Sequence, residues 1–362
     1  MALAVAGISF ALSLTVVPSA LLQRRLRLGQ LAAIEFAANL AGAISAIGLV
    51  WLGFGVVSFS IGSVVTALLL TIALTATTRY VPTARPTAGD ARAIWGFSGS
   101  LLAFNAANYF FLNTDTMVLT VVGTPQQVGI YSRANSLFSA PVTQVGAVIG
   151  RVLFPILALS RENPSIFKDR WLRTTFASFG ILFPITITIS VASPYFIGML
   201  FDPRWHQMAP ILSILSLAAP TRLLLAALGT VYLATGHTRQ LLRVSLGWGV
   251  AYSVGVLAGA SWGPIGVAWG VAVASNVASY IPLSVGLRYM GMSVLNLISE
   301  FRWIFAAGAV QLLVVASIRL AGGLGSDAAS LLACLALGTA SYAATGWLLD
   351  RRFFGRLAGK SR

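Results

Sequence analysis

The sequence predicts an all-α integral membrane protein of about eleven transmembrane helices, and three observations predict it. Apolar stretches of roughly 20 to 30 residues fill nearly the whole chain, and a hydrocarbon core of about 30 Å takes ~20 apolar helical residues to cross. Hydrophobic residues make up 57% of the 362 and charged residues only 9%, a composition that a water-exposed surface does not accommodate. Arginines cluster in alternate gaps between the stretches, which is how a polytopic protein encodes its orientation.

The spans begin, in order, at Ala2, Leu31, Gly55, Ile94, Val128, Trp171, Pro210, Leu241, Pro264, Trp303 and Ala328. The odd-numbered spans lead into basic gaps. These hold Arg24, Arg25 and Arg27; Arg79, Arg85 and Arg92; Arg161, Lys168, Arg170 and Arg173; Arg239 and Arg243; Arg288 and Arg302; and the tail from Arg351 to Arg362. The positive-inside rule directs all of them, and so the C-terminus, to the cytoplasm. The other gaps, at Gly53, Gly123 to Gln127, Phe201 to Ala209, Ser261 to Gly263 and Ala321 to Asp327, hold Arg204 and little else that is basic, so they face outward. Trp51, Trp95, Trp171, Trp205, Trp262, Trp303 and Trp347 fall near span ends and read as headgroup anchors.

This alternation places Met1 on the outer side, with no basic leader to carry it there. A parallel internal repeat points the same way. Trp51-Leu52-Gly53-Phe54-Gly55-Val56 resembles Trp262-Gly263-Pro264-Ile265-Gly266-Val267, so the first three spans match the seventh to ninth. If spans four to nine form one six-helix bundle, three helices are expected to be absent before Met1.

Composition also excludes functions. The net charge of +15 is dispersed over short gaps and lies on no single face, so nucleic acid is not an expected partner. Gly355-Arg356-Leu357-Ala358-Gly359-Lys360-Ser361 is one residue too short for a phosphate loop and has no strand before it. Asp202 and Asp327 are isolated in different outer gaps, and His206 and His237 are lone loop residues. Cys334 is the single cysteine. No catalytic constellation, metal site or cofactor is expected, and an enzyme is the weakest class.

The residues that matter most are polar ones placed where lipid would penalise them. Arg222 sits near the middle of the seventh span and is the first candidate for an inward-facing cation. Asp115 and Arg133 lie at similar depth on either side of the turn at Gly123. They are expected to pair, either to hold the fourth and fifth spans together or to meet substrate. Arg133 and Arg151 are eighteen residues apart, about five helical turns, so they share a face with Ser136 and Gln144 between them. Asn105, Asn108 and Asp115 fall within about 80° of one another on the fourth span and face either a cavity or another helix. Glu35 lies close to the cytoplasmic turn and reads as structural. Gly146 with Gly150, and Gly266 with Gly270, have the spacing that permits close helix approach. Pro141, Pro184 and Pro220 interrupt spans and allow bending.

Several segments together resemble the polysaccharide transporter family, oligosaccharide-lipid flippases in the superfamily that also holds multidrug extruders. They are Pro18 to Arg27, Ile34-Glu35, Asn113-Thr114-Asp115, Gly129 to Ala134, Gly150 to Pro155 and Leu233 to His237. The resemblance implies two six-helix bundles and two trailing helices. On that plan residues 1–78 are a three-helix remnant of the first bundle and 79–93 a cytoplasmic linker. Residues 94–287 are then the complete second bundle, and 288–362 the trailing helices and basic tail.

The resemblance further implies a flippase in the cytoplasmic (inner) membrane. Its substrate would be a polyprenyl-pyrophosphate-linked oligosaccharide destined for O-antigen or exopolysaccharide. Membrane lipids surround it, and polysaccharide polymerase and glycosyltransferases are its expected partners. Arg222, Arg133, Asp115, Arg151, Asn105, Asn108 and Gln144 are the expected substrate-binding residues, with the arginines offsetting desolvation of the pyrophosphate. Two alternatives remain at this level: a cation-coupled extruder of small molecules relying on Asp115, and a non-transporting truncated scaffold.

Overall fold

The computed structural model describes residues 2–55, 57–79 and 88–349. Met1, Val56, Arg85 with its neighbours 80–87, and the basic tail through Arg362 lie outside the described residues. Among those described, the secondary structure is helical apart from one isolated bridge between Leu324 and Ser326. The chain divides into two compact units, Met1–Ala91 and Arg92–Arg362.

The first unit contains α1 (Ala2–Arg24), α2 (Leu28–Trp51) and α3 (Val57–Thr78). Helices α2 and α3 form an antiparallel hairpin whose closest approach is between glycines. A methyl built on Gly62 would sit 2.7 Å from the Gly42 carbonyl oxygen. Helix α1 packs along α3, and Leu22, Leu31 and Leu74 form a small core with Ile34 and Leu70.

The boundary between the units falls in the first turns of α4 (Ala88–Leu112), which with α5 (Thr114–Val122) makes one rod broken at Asn113. Helix α4 starts inside the stretch 79–93 expected as linker, because an alanine-rich opening supports helix whether or not lipid surrounds it. Next come α6 (Pro125–Leu159) and α7 (Pro164–Leu200). Thr124 starts α6 with a capping box, its hydroxyl accepting from Gln127 N while the Gln127 side chain accepts from Thr124 N. Asn163 caps α7 by accepting from Ile166 N.

The seventh rod is a bent pair, α8 (Met208–Ser216) and α9 (Ala219–Ala234), with a 46° break. Pro220 falls in the first turn of α9, where its missing N–H costs no bond, so this proline opens a new helix at the break. α10 (Thr238–Gly259) runs antiparallel to α11 (Gly263–Ala278), which α12 (Tyr280–Arg288) continues, and α13 (Val294–Leu320) and α14 (Asp327–Leu349) close the chain.

Grouped in this way, the helices of the described residues make eleven rods that match the eleven predicted spans in order, eight beginning within three residues of the expected start and those at Ala88, Pro164 and Val294 beginning six to nine residues earlier. Among the described residues, seven pass as membrane-crossing by length and apolarity, or eight with the bent pair, when Thr238–Arg288 is counted once. That stretch contains two antiparallel helices of 22 and 16 residues before α12, each long enough to cover much of the hydrocarbon thickness. Exposed apolar side chains cover the outside, including Trp51, Trp95, Trp262 and Trp347. Trp171 departs from its expected anchoring role. It is fully buried, and its indole N–H donates to the Ala227 carbonyl at 3.0 Å, tying α7 to α9.

The main core of the second unit runs from α5 through α13 and takes in Tyr342 of α14. Helices α13 and α14 pack on α7. There the buried Gln311 donates to the Pro184 carbonyl (2.8 Å) and to the Thr188 hydroxyl (3.0 Å), holding α13 against the proline turn of α7.

Candidate substrate site

A cavity of about 430 Å³ lies inside the second unit, bounded by α4, α6, α9, α10 and α12. Two helix faces make most of its wall. On α6 they are Ser139, Val142, Thr143, Gly146 and Gly150, and on α9 Arg222, Leu225, Ala226, Leu228, Gly229, Thr230, Tyr232 and Leu233. At 100° per residue the α6 set is a narrow stripe and the α9 set a broader surface, each about 16 Å long. Phe104, Leu112, Val244 and Trp248 add apolar surface.

Arg222 is the charged residue in this wall. The bend before α9 puts it in that helix's first turn, at the middle of the rod. Asn276 on α11 fixes the bend. Its amide N–H donates to the Leu217 carbonyl at 3.2 Å, and its oxygen accepts from Thr221. The Arg222 guanidinium donates to the Tyr252 hydroxyl at 3.2 Å and lies 5.0 Å from the Phe138 ring centre and 5.8 Å from that of Tyr252. Trp248 stacks on Tyr252 at 5.0 Å. The Arg222 Nε is buried without a hydrogen-bond partner. No carboxylate lies within ion-pair distance of Arg222 among the described residues. A guanidinium held by aromatic faces and one hydroxyl retains most of its capacity to bind an anion.

Asp115 is fully buried beside this group and outside the cavity wall. The expected ion pair with Arg133 is not made. Tyr131 donates its hydroxyl to Asp115 at 2.7 Å, and Thr116 N donates to the other carboxylate oxygen at 2.7 Å. The reason is helical phase: Tyr131 and Arg133 are two residues apart, so if one faces α5 the other points about 200° away. Arg133 is exposed. The expected stripe of Asn105, Asn108 and Asp115 is also broken, because the rod interrupts at Asn113 and loses its phase. Asn108 lines the cavity and Asn105 is exposed one turn earlier.

Arg133, Gln144 and Arg151 do share a face of α6, and that face is exposed. It lies about 120° around the helix from the cavity stripe. Arg222 and Asn108 are thus brought to one cavity, and the other five expected residues are not. Tyr131, Phe138, Tyr252 and Asn276 are the participants that sequence reasoning missed. Tyr131 stood within the Gly129 to Ala134 segment but was passed over for its charged neighbour.

The geometry can be set beside known proteins. A family model described as "Polysaccharide biosynthesis protein" matches residues 1–210. The chain is 27% identical over 184 residues to the teichuronic acid biosynthesis protein TuaB of Bacillus subtilis (strain 168), covering 51% of this chain and 38% of that protein. It is 25% identical over 138 residues to the lipopolysaccharide biosynthesis protein WzxC of Escherichia coli (strain K12), covering 38% and 28%. It is 26% identical over 199 residues to the succinoglycan biosynthesis transport protein ExoT of Rhizobium meliloti (strain 1021), covering 55% and 40%. The chain thus spans two fifths or less of each curated relative it matches. Among solved structures it shares the fold of the lipid II flippase MurJ in its inward closed conformation, with a TM-score of 0.67 at 15% identity over 88% of this chain and 67% of that one. With more than half its length matched by the family model, the chain belongs to the polysaccharide biosynthesis protein family, and its helical rods are those of a multi-pass membrane protein.

Proposed function

We propose that this protein moves a polyprenyl-pyrophosphate-linked oligosaccharide from the inner to the outer leaflet of the cytoplasmic membrane, with its C-terminus in the cytoplasm, for assembly of a surface polysaccharide. Polysaccharide polymerase and glycosyltransferases are its working partners. Arg222 carries the reading. A cation at the middle of a membrane rod costs about 3 kcal/mol or more, and here it faces a cavity with an unpartnered Nε. An anionic lipid head offsets that cost during passage. Asn108 shares the cavity, while Arg133, Gln144, Arg151 and Asn105 offer an exposed polar surface to the sugars. Asp115 acts from behind, holding Tyr131 and so the seam of α5 and α6 beside Arg222.

The test is reconstitution of the purified chain with labelled lipid-linked oligosaccharide. Transport by the native protein, its loss in Arg222→Ala and its partial retention in Arg222→Lys are expected. Normal transport by Arg222→Ala removes that residue from the site. No transport by the native chain favours a membrane scaffold. The cation-coupled extruder requires an accessible acid, and Asp115 is already engaged by Tyr131 and Thr116.

A further inference from the structure

The cavity between α6 and α9 is poorly suited to sugar. Its threonine and tyrosine hydroxyls are turned into the protein: Thr143 donates to the Ser139 carbonyl (2.9 Å), Thr230 to the Ala227 carbonyl (2.6 Å) and Tyr232 to the Pro282 carbonyl (3.3 Å), which leaves Asn108, Ser139 and Ser245 as its other neutral polar side chains. What remains facing the space is mainly Leu, Val, Ala, Phe and Trp surface, with Arg222 at the mid-rod end. A glycan buried there would leave its hydroxyls unpaired, which is costly.

The space also comes from absent side chains. Gly150 and Gly229 each face it, and a methyl added at either would meet nothing within 4 Å. The α9 surface runs about 16 Å from Arg222 toward Leu233, and a volume of about 430 Å³ lies in the range of specific ligand pockets. A long apolar slot ending in a guanidinium with a free N–H complements one chemistry.

We propose that this cavity holds the hydrocarbon chain of a phosphorylated single-chain amphiphile, prenyl pyrophosphate being the chemical class, with the anionic head at Arg222 and the chain lying between α6 and α9. The assignment rests on the transport reading for its identification of the chain as prenyl. It adds that the second unit grips the lipid and leaves the glycan outside this cavity.

Binding of farnesyl pyrophosphate to the full chain in nanodiscs, measured by calorimetry, tests it. Gly229→Leu extends a side chain into the slot from a position where an added methyl meets nothing within 4 Å, and is expected to weaken binding at least tenfold. Arg222→Ala is expected to do the same. Gly129→Leu, another open glycine on α6 but off the cavity, is expected to bind as the native chain does. Inorganic pyrophosphate is expected to compete at least tenfold more weakly than the farnesyl compound. Native affinity in Gly229→Leu overturns the slot. Native affinity in Arg222→Ala means partition into lipid and overturns the headgroup site. Equal competition by inorganic pyrophosphate overturns the role of the chain.

Transport separates this proposal from the reading beneath it. If binding behaves as expected but the native chain moves no lipid-linked oligosaccharide, the flippase reading fails and the cavity stands. If Gly229→Leu transports at the native rate, the cavity assignment fails and the flippase reading stands.

Discussion

The α10/α11 hairpin and the α6/α9 interface are both rich in glycine, and they use it in opposite ways. In the hairpin, Gly255 and Gly259 of α10 meet Gly270 and Gly266 of α11 backbone to backbone. A side-chain carbon at Gly259 would collide with the Gly266 carbonyl. Between α6 and α9, a methyl added at Gly146 would meet only Ala226 (3.4 Å), and one added at Gly150 or Gly229 would meet nothing within 4 Å. The same spacing of four residues therefore brings one pair of helices together backbone to backbone and leaves open space beside the other pair. What decides is the facing element: small residues opposite small residues let helices approach, whereas Gly150 and Gly229 have no facing atom within reach and leave their helix surfaces to the cavity.

Substitutions sharpen this contrast, and unfolding free energy in detergent is the common scale. Gly259→Leu has no room and is expected to cost about 3 kcal/mol or more, because backbone must move; an unchanged stability would mean that the hairpin is looser than described. Asp115→Ala, which strands the buried Tyr131 hydroxyl and leaves Thr116 N without its acceptor, is expected to cost about 3 kcal/mol. Asn276→Ala frees the bend that positions Arg222 and is expected to cost ~1–2 kcal/mol while lowering transport more than that loss of fold explains. Gly229→Leu reverses the sign. It replaces a helix-interior glycine in open space and is expected to add up to about 1 kcal/mol, so a destabilised variant would show that the slot is closed.

The rods and their turns were legible from the sequence because span length, apolarity and arginine position are local signals. The break at Asn113 was not. A nine-residue α5 continues the same apolar run, and only tertiary packing sets where the rod interrupts. The Asp115–Arg133 pair failed for a related reason: matched depth says nothing about rotation about a helix axis, and Tyr131 held the right phase. Arg222 was found because a charge amid apolar residues is conspicuous. Its supports were not, since Phe138, Tyr252 and Asn276 look like ordinary residues of an apolar helix until three separate rods converge. Gly55 and Gly266, aligned in the internal repeat, also part ways: Gly55 makes a turn at φ 56° and Gly266 packs inside α11.

The central claim is that the hollow face shared by α6 and α9 receives the anionic lipid at Arg222. A structure of the full chain with prenyl pyrophosphate bound tests it most directly. The account predicts phosphate oxygens within hydrogen-bond reach of the Arg222 guanidinium and hydrocarbon running past Gly229 toward Leu233. Phosphate held instead by Arg133 and Arg151, with the cavity free of ligand, would contradict it.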